Sequence, residues 1–131
     1  WPAPRRLTPH GGELARLLGR ESQEVAAHRL ASLEEAVERF RCVVLLKGPD
    51  TLVGAPGRGL VVSALGLPSL ATAGTGDVLT GIVGAFLAKG MDAQAAAAAG
   101  AAAQQLASVE APQRAGLVAG DLIEALPRVL A

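Results

Sequence analysis

The run Cys42-Val43-Val44-Leu45-Leu46 constrains this chain more than any other stretch. It is apolar at every position, rich in β-branched residues, and preceded by a segment of helical periodicity. A strand with one face in water alternates apolar and polar residues, so a strand with no polar position has to be covered on both faces. Such a strand sits inside a sheet with packed layers on either side. That points to an α/β architecture around a parallel sheet.

The flanking segments fit that plan. Trp1 to Arg6 reads as a linker or a cut end, and Arg6-Leu7-Thr8 as the end of a strand stopped by Pro9. Leu14, Leu17 and Leu18 have helical spacing, with Gly19 as the stop. Ser22 is the expected N-cap of a helix reaching Phe40. Its apolar stripe is Ala26, Leu30, Leu33, Val37 and Phe40, and its solvent face carries Glu34, Glu35, Glu38 and Arg39, with Glu35 and Arg39 spaced to pair. Beyond the central run, Leu52-Val53 and Gly59 to Val62 read as strands joined by the turn Gly54-Ala55-Pro56-Gly57. Ser63 to Ala73 is a proline-containing loop. From Thr75 or Gly76 to Lys89 the chain is apolar almost all round, which predicts a buried helix whose small face is Gly81, Ala85 and Ala88. Gly90 stops it, and Asp92 caps a helix running through Ala95 to about Val109. Gly100 lies in its middle, where close packing has to offset the helical cost of glycine. A loop from Pro112 to Gly116 leads to a last amphipathic helix, Asp121 to Leu130, with Pro127 near its end.

Composition narrows the function. The 131 residues suit one domain. The only aromatic residues are Trp1, Phe40 and Phe86, so the core is built from Ala, Leu and Val. Lys plus Arg and Asp plus Glu both total 12, and a neutral chain lacks the basic footprint of a nucleic-acid binder. Cys42 is the single cysteine, which excludes an internal disulfide; with no signal peptide visible, a reducing cytoplasm is expected. No apolar run reaches the roughly 18 residues a membrane helix needs. His10, His28 and Cys42 match no metal-ligand spacing, so no metal site built from protein ligands is expected. Asparagine and tyrosine are absent, which removes every motif that needs either.

Two stretches carry candidate chemistry. Ala73-Gly74-Thr75-Gly76-Asp77-Val78-Leu79 lies where a loop becomes a helix. Free backbone N–H groups and the helix dipole attract an anion there, and glycines admit phosphate oxygens to the backbone, so Gly74, Thr75 and Gly76 form a candidate anion hole. Asp77 would then handle a proton beside the phosphate. A tight turn with Asp77 as a charge complementing the dipole fits the same residues. The spacing is neither G-x-G-x-x-G nor a Walker A loop. Lys47-Gly48-Pro49-Asp50-Thr51 follows the buried strand, at the edge where open α/β sheets bind ligands. A simple β-turn with Pro49-Asp50 at its corner fits equally well. His10 with Glu13 reads as a surface pair or part of a site, and His28 as a residue on a charged helix face.

In order, Leu7-Thr8-Pro9-His10-Gly11-Gly12-Glu13, Leu46-Lys47-Gly48-x-x-Thr51 and Ala73-Gly74-Thr75-Gly76-Asp77-Val78-Leu79 resemble the C-terminal part of the ADP/ATP-dependent NAD(P)H-hydrate dehydratases. These are the carbohydrate-kinase-like members of the ribokinase superfamily, and the likeness runs from Leu7 to Leu130. It implies the C-terminal half of a ribokinase-like three-layer α/β/α sandwich, with residues 1–131 as part of one domain whose N-terminal half is missing. It implies that ADP or ATP, with Mg2+ on its phosphates, phosphorylates the hydroxyl of NAD(P)H hydrate, after which phosphate leaves and the reduced cofactor is restored. By the same resemblance His10 and Asp77 contact the hydrate, and Asp77 is the catalytic base. Lys47, Gly48, Pro49, Asp50, Thr51 and Gly76 contact the adenine nucleotide. A homo-oligomer, with no nucleic-acid or membrane partner, is also expected. The sequence departs from the family at Gly11, where proline is usual, and at Gln104-Gln105, where many members have a histidine. The superfamily's metal-associated Asn-x-x-Glu signature cannot occur. An ATP-dependent small-molecule alcohol kinase of the hydroxyethylthiazole or hydroxymethylpyrimidine type shares the glycine-aspartate pattern. An inactive nucleotide-binding fragment is the third reading.

Overall fold

The structure, a computed structural model, describes residues 5–65, 67–112 and 115–131. Of the expected linker or cut end, Trp1 to Arg6, residues 1–4 lie outside the described residues, as do Gly66 in the proline-containing loop and residues 113–114 in the loop after Pro112. The chain divides into two compact units, residues 1–62 and 63–131.

The first unit is built on a sheet of order β1-β2-β3-β4, comprising β1 (Arg6–Leu7), β2 (Val43–Leu46), β3 (Thr51–Gly54) and β4 (Val61–Ser63). β2 is buried at all four positions, as its unbroken apolar run requires. It pairs in parallel with β1, Arg6 opposite Val43 and Leu7 opposite Val44. On its other side it pairs antiparallel with β3, Val44 opposite Gly54 and Leu46 opposite Leu52, so the sheet is mixed rather than purely parallel. The crossover from β1 to β2 is made by α1 (Gly11–Leu18), α2 (Ser22–Ala27) and α3 (Arg29–Phe40). Leu14 and Leu18 of α1, Val25 of α2, and Leu33, Ala36 and Val37 of α3 pack on Val44, Leu46 and Leu52. A Cβ on Gly54 would lie 2.9 Å from Val37 Cγ2, so glycine here lets α3 press onto the sheet. β3 therefore runs through Gly54, and the turn falls later, with Gly57 left-handed (φ 67) and Arg58 N–H bonded to Ala55 O.

The expected single helix from Ser22 to Phe40 is two. It breaks at His28 (φ −131, ψ 51), and its first cap is Glu21 rather than Ser22. The break rotates the apolar stripe: Val25 is buried in place of Ala26, and Leu30 is exposed. Glu35 pairs with Arg20 instead of Arg39, whose guanidinium reaches Leu18 O and lies over the Phe40 ring.

The second unit is helical: a short 3-10 turn (Pro68–Leu70), then α4 (Thr75–Ala88), α5 (Ala93–Glu110) and α6 (Ala119–Val129). Gly90 (φ 84) ends α4, and the Asp92 carboxylate caps α5 by accepting from Gln94 and Ala95 N–H. A Cβ on Gly100 would sit 2.5 Å from Val83 Cγ2, so glycine there is what lets α4 and α5 meet. α4 buries only one side, through Thr75, Leu79, Ile82 and Val83. Its small residues Gly81, Ala85 and Ala88 are exposed, contrary to the all-round burial its composition predicts.

Candidate functional site

In the first unit, the segments around His10 and Lys47 are brought side by side. They form a parallel bridge beyond the ends of β1 and β2, with Lys47 N–H bonded to Pro9 O. His10 is the N-cap of α1. Its Nδ1 accepts from Gly12 N–H at 3.1 Å and Glu13 N–H at 3.3 Å, while Glu13 Oε2 accepts from His10 N–H at 2.8 Å. Each end of this capping box satisfies donors that the first helical turn leaves open. Because Nδ1 accepts, the ring's remaining proton is on Nε2, which lies 3.4 Å from Glu13 Oε1. Lys47 Nζ is 3.7 Å from Glu13 Oε2, so one carboxylate ties the two segments together. That carboxylate is held below the ordinary glutamate range chiefly by the His10 N–H. Partial burial opposes the shift, and the charges of Lys47 and Arg16 add to it.

Lys47 to Asp50 connect β2 to β3, and the chain bends at Gly48, Pro49 and Asp50. Gly48, Pro49 and Asp50 are exposed, and Thr51 is buried. Arg29, at the start of α3, lies across this loop. Its Nη2 donates to Asp50 O at 2.6 Å, and the guanidinium occupies the space a Cβ on Gly48 would need. Nothing in the sequence singled Arg29 out, because a helix-start arginine 21 positions from its acceptor has no local signature. Cys42 is buried, which pushes its thiol up against the opposing charge of Arg5 and leaves it unsuited to nucleophilic work.

In the second unit the Gly74–Asp77 stretch opens α4, with Gly74 as a left-handed N-cap (φ 85, ψ −15). Thr75 is buried, and its hydroxyl bonds to Leu70 O and Thr72 O, both at 2.8 Å, so it is a strut of the turn. The N–H of Thr75 turns to Thr72 O, and those of Asp77 and Val78 to Gly74 O. Among the described residues, the N–H groups of Gly74 and Gly76 have no acceptor. Asp77 is exposed at the third helical position, and its carboxylate makes no hydrogen bond or ion pair among the described residues. Gln104, buried on α5, donates from Nε2 to Thr75 O at 2.5 Å, and its neighbour Gln105 accepts from the Ser63 hydroxyl. Two adjacent glutamines in a helix otherwise dominated by alanine were the available signal for these contacts; their partners lie too far along the chain to be read from spacing.

Known proteins are similar to this chain across nearly its whole length. A chain from Neisseria meningitidis, an ADP-dependent (S)-NAD(P)H-hydrate dehydratase, is 44% identical over 123 residues, covering 91% of this chain and 42% of its own. The crystal structure of the ADP/ATP-dependent NAD(P)H-hydrate dehydratase from Bacillus subtilis, co-crystallized with ATP/Mg2+, superposes with a TM-score of 0.87 at 31% identity, covering 99% of this chain and 49% of that one. A hydroxyethylthiazole kinase from Pyrococcus horikoshii, at 23% identity and a TM-score of 0.74, shares the fold, which is the α/β fold of the ribokinase-like proteins. This chain thus spans about half the length, or less, of the relatives it matches. The family model for NAD(P)H-hydrate dehydratase matches residues 3–128, and the chain belongs to that family.

Proposed function

We propose that this chain supplies the C-terminal part of a single ribokinase-like domain that uses ADP or ATP to return NAD(P)H hydrate to NAD(P)H. The observation that carries the reading is Asp77: an exposed carboxylate at a helix start, without a partner among the described residues. Asp77 takes the hydroxyl proton of the hydrate as that oxygen attacks the terminal phosphoryl group of the nucleotide. A P–O bond to the hydrate forms as the bond to the nucleotide's leaving phosphate breaks. The C–O bond then breaks, phosphate departs, and loss of the adjacent ring proton restores the double bond. The open N–H groups of Gly74 and Gly76 face charge developing on the transferred group. His10 contacts the hydrate through the face left by its capping bonds. Lys47, Gly48, Pro49, Asp50 and Thr51 contact the adenine nucleotide, with Lys47 preset by Glu13 and the loop preset by Arg29.

Among the described residues, no three His, Cys, Asp or Glu side chains are grouped to hold a metal. This suits a magnesium ion held by phosphate oxygens and water, where it would neutralise charge on the nucleotide. We further assign the protein to a reducing cytoplasm as a homo-oligomer. The free, buried Cys42 is compatible with that compartment. The deciding experiment supplies NADH hydrate and ADP or ATP to the protein and follows the return of reduced-nicotinamide absorbance. Return with release of phosphate supports the dehydratase. A stable phosphate ester on an alcohol substrate would instead make it a kinase, and nucleotide-dependent thermal stabilisation without turnover an inactive binding module.

A further inference from the structure

Gln104 stands out among the buried polar residues because of which peptide it grips. Its Nε2 donates to Thr75 O, and the Thr75 carbonyl belongs to the same peptide plane as the Gly76 N–H. A planar peptide moves as one unit, so fixing the oxygen fixes the direction of the N–H at its other end. A hydrogen bond to the carbonyl also polarises the amide and strengthens its donor. The Gly76 N–H has no acceptor among the described residues, and the Thr75 hydroxyl and N–H hold the rest of that residue to Leu70 and Thr72. The other helices with a glycine at the second position have no such grip: no side chain holds the carbonyl of Gly11 or Ala119 among the described residues.

We propose that Gln104 is a positioning residue that aims the Gly76 N–H at the phosphoryl group through the Thr75–Gly76 peptide. The proposal rests on the dehydratase reading for its effect on turnover, and on geometry alone for its effect on Gly76. Gln104→Leu keeps the side-chain bulk and removes the donor. In the protein carrying this chain it is expected to lower kcat about 10- to 100-fold, because a misaimed donor stabilises less of the developing charge, while KM for nucleotide and hydrate changes little. It is also expected to move the Gly76 amide 15N resonance and leave those of Gly12 and Gly120 in place. Gln104→His, which restores an N–H donor at similar reach, should return both readouts toward the original. Leu33→Ala, a core cavity in the first unit, is the control for simple destabilisation: it lowers Tm and leaves the Gly76 resonance and kcat unchanged. An unmoved Gly76 resonance in Gln104→Leu, an unchanged kcat, or a kcat that merely follows Tm would overturn the proposal. If the unaltered protein shows no turnover, the dehydratase reading is what fails, and the Gly76 resonance alone then decides the role of Gln104.

Discussion

Among the described residues, three helices begin with a glycine at the second position and an acid at the third: Gly12-Glu13 in α1, Gly76-Asp77 in α4 and Gly120-Asp121 in α6. In α1 and α6 the acid folds back onto its own cap. Glu13 accepts from His10 N–H and Asp121 from Val118 N–H, each at 2.8 Å. In α4 it does not. The difference lies one turn earlier, in the cap residue. His10 (φ −84, ψ 172) and Val118 (φ −116, ψ 163) are extended, the conformation in which the cap N–H meets a carboxylate at the third position. Gly74 is left-handed at φ 85, which swings its N–H away from that carboxylate. Glycine is the residue that adopts this conformation without steric cost. Two acids of the same local pattern are thus spent on helix structure, and the third carboxylate is left without a bond among the described residues.

The sharpest way to break this comparison is Asp77→Asn. If Asp77 is the base, turnover should fall by roughly 10²- to 10⁴-fold, while stability stays within about 0.5 kcal/mol because no bond in the fold is lost. Turnover assays beside thermal melts check this. A melt shifted as far as a lost cap would shift it returns Asp77 to the role of Glu13 and Asp121.

Gly74→Ala probes the cap directly. A Cβ in the left-handed region costs about 1–2 kcal/mol, and this one would also lie 3.1 Å from Ala119 Cβ. The strain is relieved if the cap becomes extended, which draws Asp77 into a capping bond. A lowered Tm together with lost activity is therefore expected. A variant structure should show Asp77 Oδ near the residue 74 N–H; an unmoved Asp77 would remove Gly74 from the explanation.

Much of this fold was legible because its signals are local. The strand Val43–Leu46, the stops at Gly19 and Gly90 and the Asp92 cap each follow from a few adjacent residues. The motif order around His10, Lys47 and Asp77 was legible in the same way, as a pattern held in short segments. The errors arose where one property had to be carried along a helix. Periodicity groups residues on a face only while the helix stays continuous, so the break at His28 exchanged Val25 for Ala26 and freed Leu30. Likewise an apolar composition says that α4 can be buried, not how much of it is. The anchors within the two units, Arg29 on Asp50 O in the first and Gln104 on Thr75 O in the second, join residues 21 and 29 positions apart, and nothing near either end records the partner.

The two spent acids offer a smaller test. Glu13→Ala removes half of a capping box and Asp121→Ala removes the carboxylate that accepts from Val118 N–H, and each should cost about 0.5–2 kcal/mol in denaturant unfolding. Of the two, Glu13→Ala should also loosen Lys47, since that carboxylate lies 3.7 Å from Nζ, and so weaken nucleotide binding where Asp121→Ala does not. Equal nucleotide affinity in both variants would reduce Glu13 to a cap alone.

The smallest effect separates the charge of Glu13 from its shape. Its folded-state pKa lies below the unfolded value, with the His10 N–H as the main cause. A depressed carboxylate contributes its stability fully above the unfolded value and loses it as pH falls through the folded one. The unaltered protein should therefore hold a constant Tm advantage over Glu13→Ala from neutral pH down to the ordinary glutamate range, and lose that advantage below it. Because Glu13 is nearly half exposed, the advantage is modest and should shrink further in high salt to the extent that Lys47 contributes. The bond to the His10 N–H is short-range and resists screening, so the part of the advantage that survives salt measures the cap, and the part that vanishes measures the tie to Lys47.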